Sequence, residues 1–141
     1  MKTFREILTV LAAAAALYLA LWISPDLSRA DDWTKGDVAL EVAWGVAHIV
    51  DWGTTRDLSK RYDEGLYETN FILGRHPSTS KVDLYMGACM VLHPMVTDLL
   101  PKHATTLGID WNPRAAWQYV TIGVSAGAAG SNLSLGLHID F

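Results

Sequence analysis

The stretch Tyr67-Glu68-Thr69-Asn70-Phe71-Ile72-Leu73-Gly74-Arg75-His76-Pro77-Ser78-Thr79-Ser80-Lys81-Val82 decides how this chain is read. Acid, amide, imidazole, hydroxyl and base crowd together in it without the period of a helix or a strand, so it reads as an ordered loop. An apolar helical segment lies on each side. Loops held between rigid helices often carry function, which leads us to expect a polar site beside this one.

Immediately before the loop, Thr34 to about Arg61 reads as a helix. Thr34-x-x-Asp37 has the spacing of a capping box, and the acid suits a helix N-terminus. Val38, Val42, Val46, Ile49 and Val50 form an apolar surface. Trp44, His48, Asp51 and Thr55 recur at helical spacing and share one stripe. The charged end, Arg56 to Arg61, reads as solvated. After the loop, Ser78 and Ser80 are alternative caps, and Ser80-x-x-Asp83 is a second box-like spacing. The helix that follows, about Lys81 to Leu100, carries Leu84, Met86, Met90, Val91 and Leu92. Pro94 inside it predicts a bend near Met90.

Further on, a polar connection from Lys102 to Trp111 leads to Asn112-Pro113, cap and first helical residue of a third helix running to about Ala129. Gly123-x-x-x-Gly127 in that helix allows close approach of a partner helix. The chain ends with Leu133, Leu135, Leu137, Ile139 and Phe141 alternating with smaller or polar residues, the period of a strand. Such a strand needs an edge, either near Trp33 or in a second subunit. A homo-oligomer joined through the Gly123/Gly127 face or this strand is therefore expected.

At the other end, Lys2 and Arg5 precede an apolar run from Ile7 to Ile23, closed by Ser24-Pro25-Asp26. It has the length of a transmembrane helix. It also has the layout of a signal peptide, with Ser28-Arg29-Ala30 as a cleavage site. The division is residues 1–30 as transmembrane segment or signal peptide and 31–141 as a helical domain. The fold class is mainly α: a small helical bundle, an N-terminal hydrophobic helix plus three helices, with a short C-terminal β-strand.

Composition narrows the function classes. With 141 residues, half of them apolar, 18% charged and a positive mean hydropathy, the chain suits one domain that meets a membrane or an oligomer interface. A net charge of −4 without a basic block argues against nucleic-acid binding. The single Cys89 excludes an internal disulfide and a cysteine-based zinc site, and its apolar surround suits a packed thiol. Residues 38–50, 84–97 and 115–129 are each short for a membrane span but approach the needed length with their aromatic and threonine flanks. Lys and Arg are weakly biased to the segments that would lie inside. The expectation is a bundle in the bacterial inner membrane, with the lipid bilayer as partner. The competing arrangement is a bundle outside that membrane, tethered by the first segment or exported after cleavage near Ala30.

The candidate chemistry lies in His48, Asp51, Glu68, His76 and His93, with Thr55, Asn70 and Ser78 in binding or structural roles. Imidazoles and carboxylates converging in an apolar surround have shifted pKa values and can move protons near neutral pH. Asp51, Glu68, His76 and His93 also supply nitrogen and oxygen ligands for a divalent metal. The blander reading is that Glu68 and Asn70 bind loop amides and that the two helical histidines are core residues. No metalloprotease, nucleophile-elbow, phosphate-loop or dinucleotide motif is present.

Asp51-Trp52-Gly53-x-Thr55, Glu68-Thr69-Asn70-x-Ile72-Leu73-Gly74-Arg75-His76-Pro77-Ser78, Trp117-Gln118-Tyr119 and Gly136-x-x-Ile139-Asp140-Phe141 resemble a family of small uncharacterised bacterial and phage membrane or exported proteins. Its central motif is Glu-x-Asn-Pro-x-Leu-Gly-x-His-Pro-Ser, and Phe71 stands here where that motif carries Pro. The resemblance implies coherence of the fold and of these polar positions, not a reaction. Three functions follow as expectations. The first is a structural or binding membrane protein with its polar site around residues 67–82. The second is a metal-assisted or acid–base hydrolase of a lipid or envelope substrate, and the third a phage-type envelope or lysis factor.

Overall fold

A computed structural model describes residues 32–141, so the expected N-terminal transmembrane segment or signal peptide lies outside the described residues. Within them the chain is mainly helical. The order is α1 (Lys35–Leu58), a single 3-10 turn (Tyr62–Glu64), α2 (Thr79–Leu99), β1 (Ala104–Thr106), β2 (Ile109–Trp111) and α3 (Pro113–Ser134). Helix α3 packs along much of α1, α2 packs on α1 less extensively, and α2 and α3 barely meet. The result is two helices splayed over a third.

Local chemistry sets the helix starts. The Thr34 hydroxyl accepts from the Asp37 amide while the Asp37 carboxylate accepts from the Thr34 amide at 2.7 Å, a complete capping box. Ser78, not Ser80, caps α2 by accepting from the Lys81 amide. Asp83 is thereby left for the Trp52 indole and the Arg56 guanidinium. Asn112 caps α3 through the Ala115 amide, with Pro113 as the first helical residue. Helix α2 continues through Pro94 to Leu99.

The expected polar connection between α2 and α3 is a small antiparallel hairpin, pairing Ala104 with Trp111 and Thr106 with Ile109. Leu107 and Gly108 both have positive φ, 54° and 79°, the twist that two-residue hairpin turns require.

The alternating C-terminal tail forms no strand, because the neighbour it meets is the end of α1 and offers no sheet edge. Instead, side chains at the end of that helix and just beyond it bind its backbone. Arg56 donates to the Asp140 carbonyl at 2.9 Å, Arg61 to the Gly136 carbonyl at 3.0 Å, and Asp57 accepts from the His138 amide at 2.9 Å. The charged end of α1 is thus a docking platform rather than a solvated face. Leu137 is buried, and Phe141 meets Trp52 edge to face.

The tail crosses α1 at Gly53, where a Cβ would lie 2.7 Å from Ile139 Cγ2 and 3.3 Å from the Ile139 Cα. Gly53→Ala is therefore expected to destabilise by about 1–2 kcal/mol, the overpacking cost outweighing the helix-propensity gain of about 1 kcal/mol. It should also speed hydrogen exchange at the Asp140 amide, which donates to the Gly53 carbonyl. Unchanged exchange would show that the tail does not dock there.

The membrane-bundle expectation needs correction. No helix among the described residues is long and apolar enough to cross a membrane. The reason lies in the interior. The apolar cluster of Leu73, Val82 and Met86, flanked by Trp52 and Tyr85, is small. Much of the remaining interior is polar, with Asp37, His48, Thr54, Thr55, His93, Thr97, Arg114 and Gln118 buried. These residues lower the mean hydropathy of the helices that carry them. Val38, Val42, Val46 and Ile49 are exposed on the opposite side of α1.

Candidate functional site

Helical spacing places Trp44, His48, Asp51 and Thr55 on one stripe of α1. The structure turns that stripe inward, burying Trp44, His48 and Thr55, while the valine face of the same helix is exposed. The stripe extends one turn further back, to Glu41. Around Glu41 the three helices close a polar network. His93 Nδ1 donates to Glu41 Oε1 at 2.7 Å, and His93 Nε2 lies 2.7 Å from the Thr121 hydroxyl. The second carboxylate oxygen of Glu41 accepts from Thr97 at 3.2 Å and from the Gln118 amide at 3.1 Å. The His93 ring stacks on Trp44, centroids 3.7 Å apart, and on Trp117 at 5.3 Å; Trp44 in turn stacks on His48 at 4.8 Å. His48 donates Nε2–H to the Met86 carbonyl at 3.0 Å, and burial pushes its pKa down against that bond, keeping the ring neutral.

Because α2 and α3 splay apart, a mainly apolar cavity of about 460 Å³ opens between them over α1. Its floor is Trp44, His48 and Asp51. One wall carries Tyr85, Cys89 and His93, the other Trp117, Thr121 and Ser125, and Asn70 closes the loop end. Asp51 is the cavity's exceptional group. Burial, then the charge of Glu68, raises its pKa to about 6, and the Thr55 hydroxyl bond at 3.3 Å offsets only part of that. Burial likewise raises the Tyr85 phenol and the Cys89 thiol, so both stay protonated at neutral pH.

Of the residues singled out from sequence, His48, Asp51, Asn70 and His93 line this one cavity. Glu68 sits close enough to act on Asp51, but its carboxylate binds the Asn70 amide at 2.7 Å, and Asn70 Oδ1 accepts from the Ile72 amide. Their hydrogen bonds thus shape the loop. His76 stands apart: it is exposed and rests on the Tyr62 ring, whose hydroxyl donates to the Pro77 carbonyl. Thr55, with Thr54, accepts from the Asn132 amide and ties α1 to α3. Gly123 and Gly127 are exposed, and a Cβ at either would meet nothing within 4 Å, so neither serves a helix contact among the described residues.

The metal set Asp51, Glu68, His76 and His93 does not converge. No group of three His, Cys, Asp or Glu among the described residues is placed to hold a metal ion. His93 has both ring nitrogens engaged, and His76 faces outward on the loop.

Sequence reasoning passed over Glu41, Thr97, Arg114, Gln118 and Thr121. The signal was available for most of them. Glu41 continues the Trp44–His48 stripe, Thr97 lies one turn beyond His93, and Gln118, Thr121 and Ser125 share a face at three- and four-residue spacing.

Comparison of the chain with protein-family models, with curated proteins and with solved structures returned no match.

Proposed function

We propose that this domain is a binding module that holds a small, largely apolar molecule between α2 and α3. The observation carrying this reading is the cavity of about 460 Å³, walled by tryptophans and aliphatic side chains with a few polar groups at its edges. Ligand sites are typically apolar clefts of about 300–1,000 Å³ with sparse polar contacts between packed elements.

The hydrolytic alternative draws on the Glu41–His93–Thr121 line, in which carboxylate, imidazole and hydroxyl lie 2.7 Å apart at each step. That order resembles an acyl-transfer relay. However, Thr121 lies in the middle of α3, and its hydroxyl also bonds the Trp117 carbonyl at 2.9 Å. Helix-interior amides beside it are already paired, leaving no pair of backbone donors for an oxyanion. The Cys89 thiol, held protonated by burial, is a poor nucleophile. The relay instead ties the three helices together and fixes the Trp44 and Trp117 rings.

Isothermal titration of the full chain with 4-phenylbutan-1-ol is expected to show one saturable site. Ser125 is buried and lines the cavity. Ser125→Phe fills that space and should abolish uptake while the chain still melts cooperatively. Absence of saturable binding for this alcohol and for ring-bearing analogues of its size would end the reading.

A further inference from the structure

We infer that the cavity takes an amphiphilic amine, an organic cation whose ammonium group pairs with Asp51 and whose apolar body lies against Trp44 and Trp117. This rests on the binding reading above and names its ligand class.

Among the described residues several acids near the helix ends have cationic partners, and Asp98 accepts from the Trp33 indole at 2.9 Å. Arg56 pairs with Asp83, Lys60 with Asp140, Arg61 with Asp57 and Glu64, and Lys102 with Asp37. Glu41, which reaches the interior from α1, is engaged by His93, Thr97 and Gln118. Among the described residues Asp51 has only the Thr55 hydroxyl, at 3.3 Å, and no Lys or Arg acts on it. A carboxylate in an apolar cavity with one weak hydrogen bond is poorly compensated. A second acid, Glu68, is close enough to disfavour its charge further.

The surroundings select the compensating group. His48 is kept neutral by burial and donates to Met86, so it offers Asp51 no positive charge. Tyr85 and Cys89 on the facing wall are neutral as well. A ligand ammonium would supply the missing charge and be drawn by both Asp51 and Glu68. An anionic ligand would meet the same two acids as repulsion. The remaining walls are aromatic and aliphatic, matched to an aryl or alkyl body that also attracts a cation to its ring faces. Charge and shape therefore point to one class of ligand.

The test is a matched series on the full chain at pH 7.5: 4-phenylbutylamine, 4-phenylbutan-1-ol and 4-phenylbutanoate, each titrated into the native chain and into Asp51→Asn. The native chain should bind the amine about tenfold or more tighter than the alcohol, as a charge-assisted contact in an apolar cavity allows, and the carboxylate most weakly. Asp51→Asn should retain the alcohol and lose the preference for the amine. If amine and alcohol bind the native chain equally, or the amine binds more weakly, the inference fails while the cavity reading stands. If no member of the series binds, the cavity reading fails and takes the inference with it. Should Asp51→Asn not fold, the order of the three probes on the native chain decides alone.

Discussion

Replacing Arg114 by leucine is expected to remove about 3–5 kcal/mol of stability, a large share of the roughly 5–15 kcal/mol that holds a domain folded. The Arg114 side chain is fully buried where α3 begins. Its Nε donates to the Leu100 carbonyl at 3.0 Å and one terminal nitrogen to the Asp98 carbonyl at 3.4 Å, while the other lies 3.8 Å from Asp37. One guanidinium therefore satisfies the open carbonyls at the end of α2, where a helix favours positive charge, and faces the cap of α1.

Leucine would leave those carbonyls dry and unpaired and leave Asp37 with Lys102 as its remaining cation. Burial alone would raise Asp37, but the Thr34 bonds and Lys102 hold it below its ordinary value. Lysine at position 114 keeps the charge without the planar fork and should recover part of the loss. Urea unfolding of the two variants measures the difference. A cost under about 1 kcal/mol for Arg114→Leu would mean that the three helix ends are not joined through this residue.

The second large effect has the opposite sign. Asp51→Asn should stabilise the ligand-free protein at pH 7–8, by an amount that vanishes near pH 4. The Asp51 pKa rises from 3.8 to about 6 on folding. The folded state therefore favours the protonated acid, and its penalty for ionised Asp51 is absent below pH 4. That penalty grows as pH rises from about 4 to 6 and is fully present above. The interval corresponds to at most about 3 kcal/mol, and relaxation around the cavity should reduce the observed gain to about 1–2 kcal/mol.

Paired urea curves at pH 4 and pH 7.5 would show whether the two proteins converge and diverge in that order. A residue kept for structure should destabilise when replaced, whereas a gain on replacement is what a group held at a cost to the fold gives. If Asp51→Asn loses stability at pH 7.5, the acid is serving the fold and the counter-ion role is lost.

Much of the fold was legible beforehand, for local reasons. Thr34-x-x-Asp37, Ser78 and Asn112-Pro113 mark the three helix starts, since capping depends on a few neighbouring atoms and not on distant packing. That Trp44, His48, Asp51 and Thr55 share one stripe of α1 was legible as well, through their spacing, but not that this stripe faces inward. The C-terminal alternation misled because period two describes which way side chains point, while a strand also requires a neighbouring edge. Residues 136–141 found the side chains of Arg56, Asp57 and Arg61 instead. The hairpin at 104–111 was missed because Leu107 holds a positive φ usually left to Asn or Gly.

The expectation of membrane-spanning helices within residues 32–141 failed on the same ground. Apolar content and short helical runs raise the mean hydropathy, but Glu41, His48, His93 and Arg114 gather only in three dimensions, and they come from three separate helices.

By itself, then, the sequence determined where each helix begins and which stripe of α1 carries acid, imidazole and indole, because backbone capping and the helical repeat act within a few residues. Only the tertiary structure decided that Glu41 meets His93 and Thr121, that Arg114 joins three helix ends, and that Asp51 faces an apolar cavity without a cation. Those outcomes depend on how far α2 and α3 diverge over α1. No single segment encodes that divergence, which arises from which side chains find partners across the interfaces.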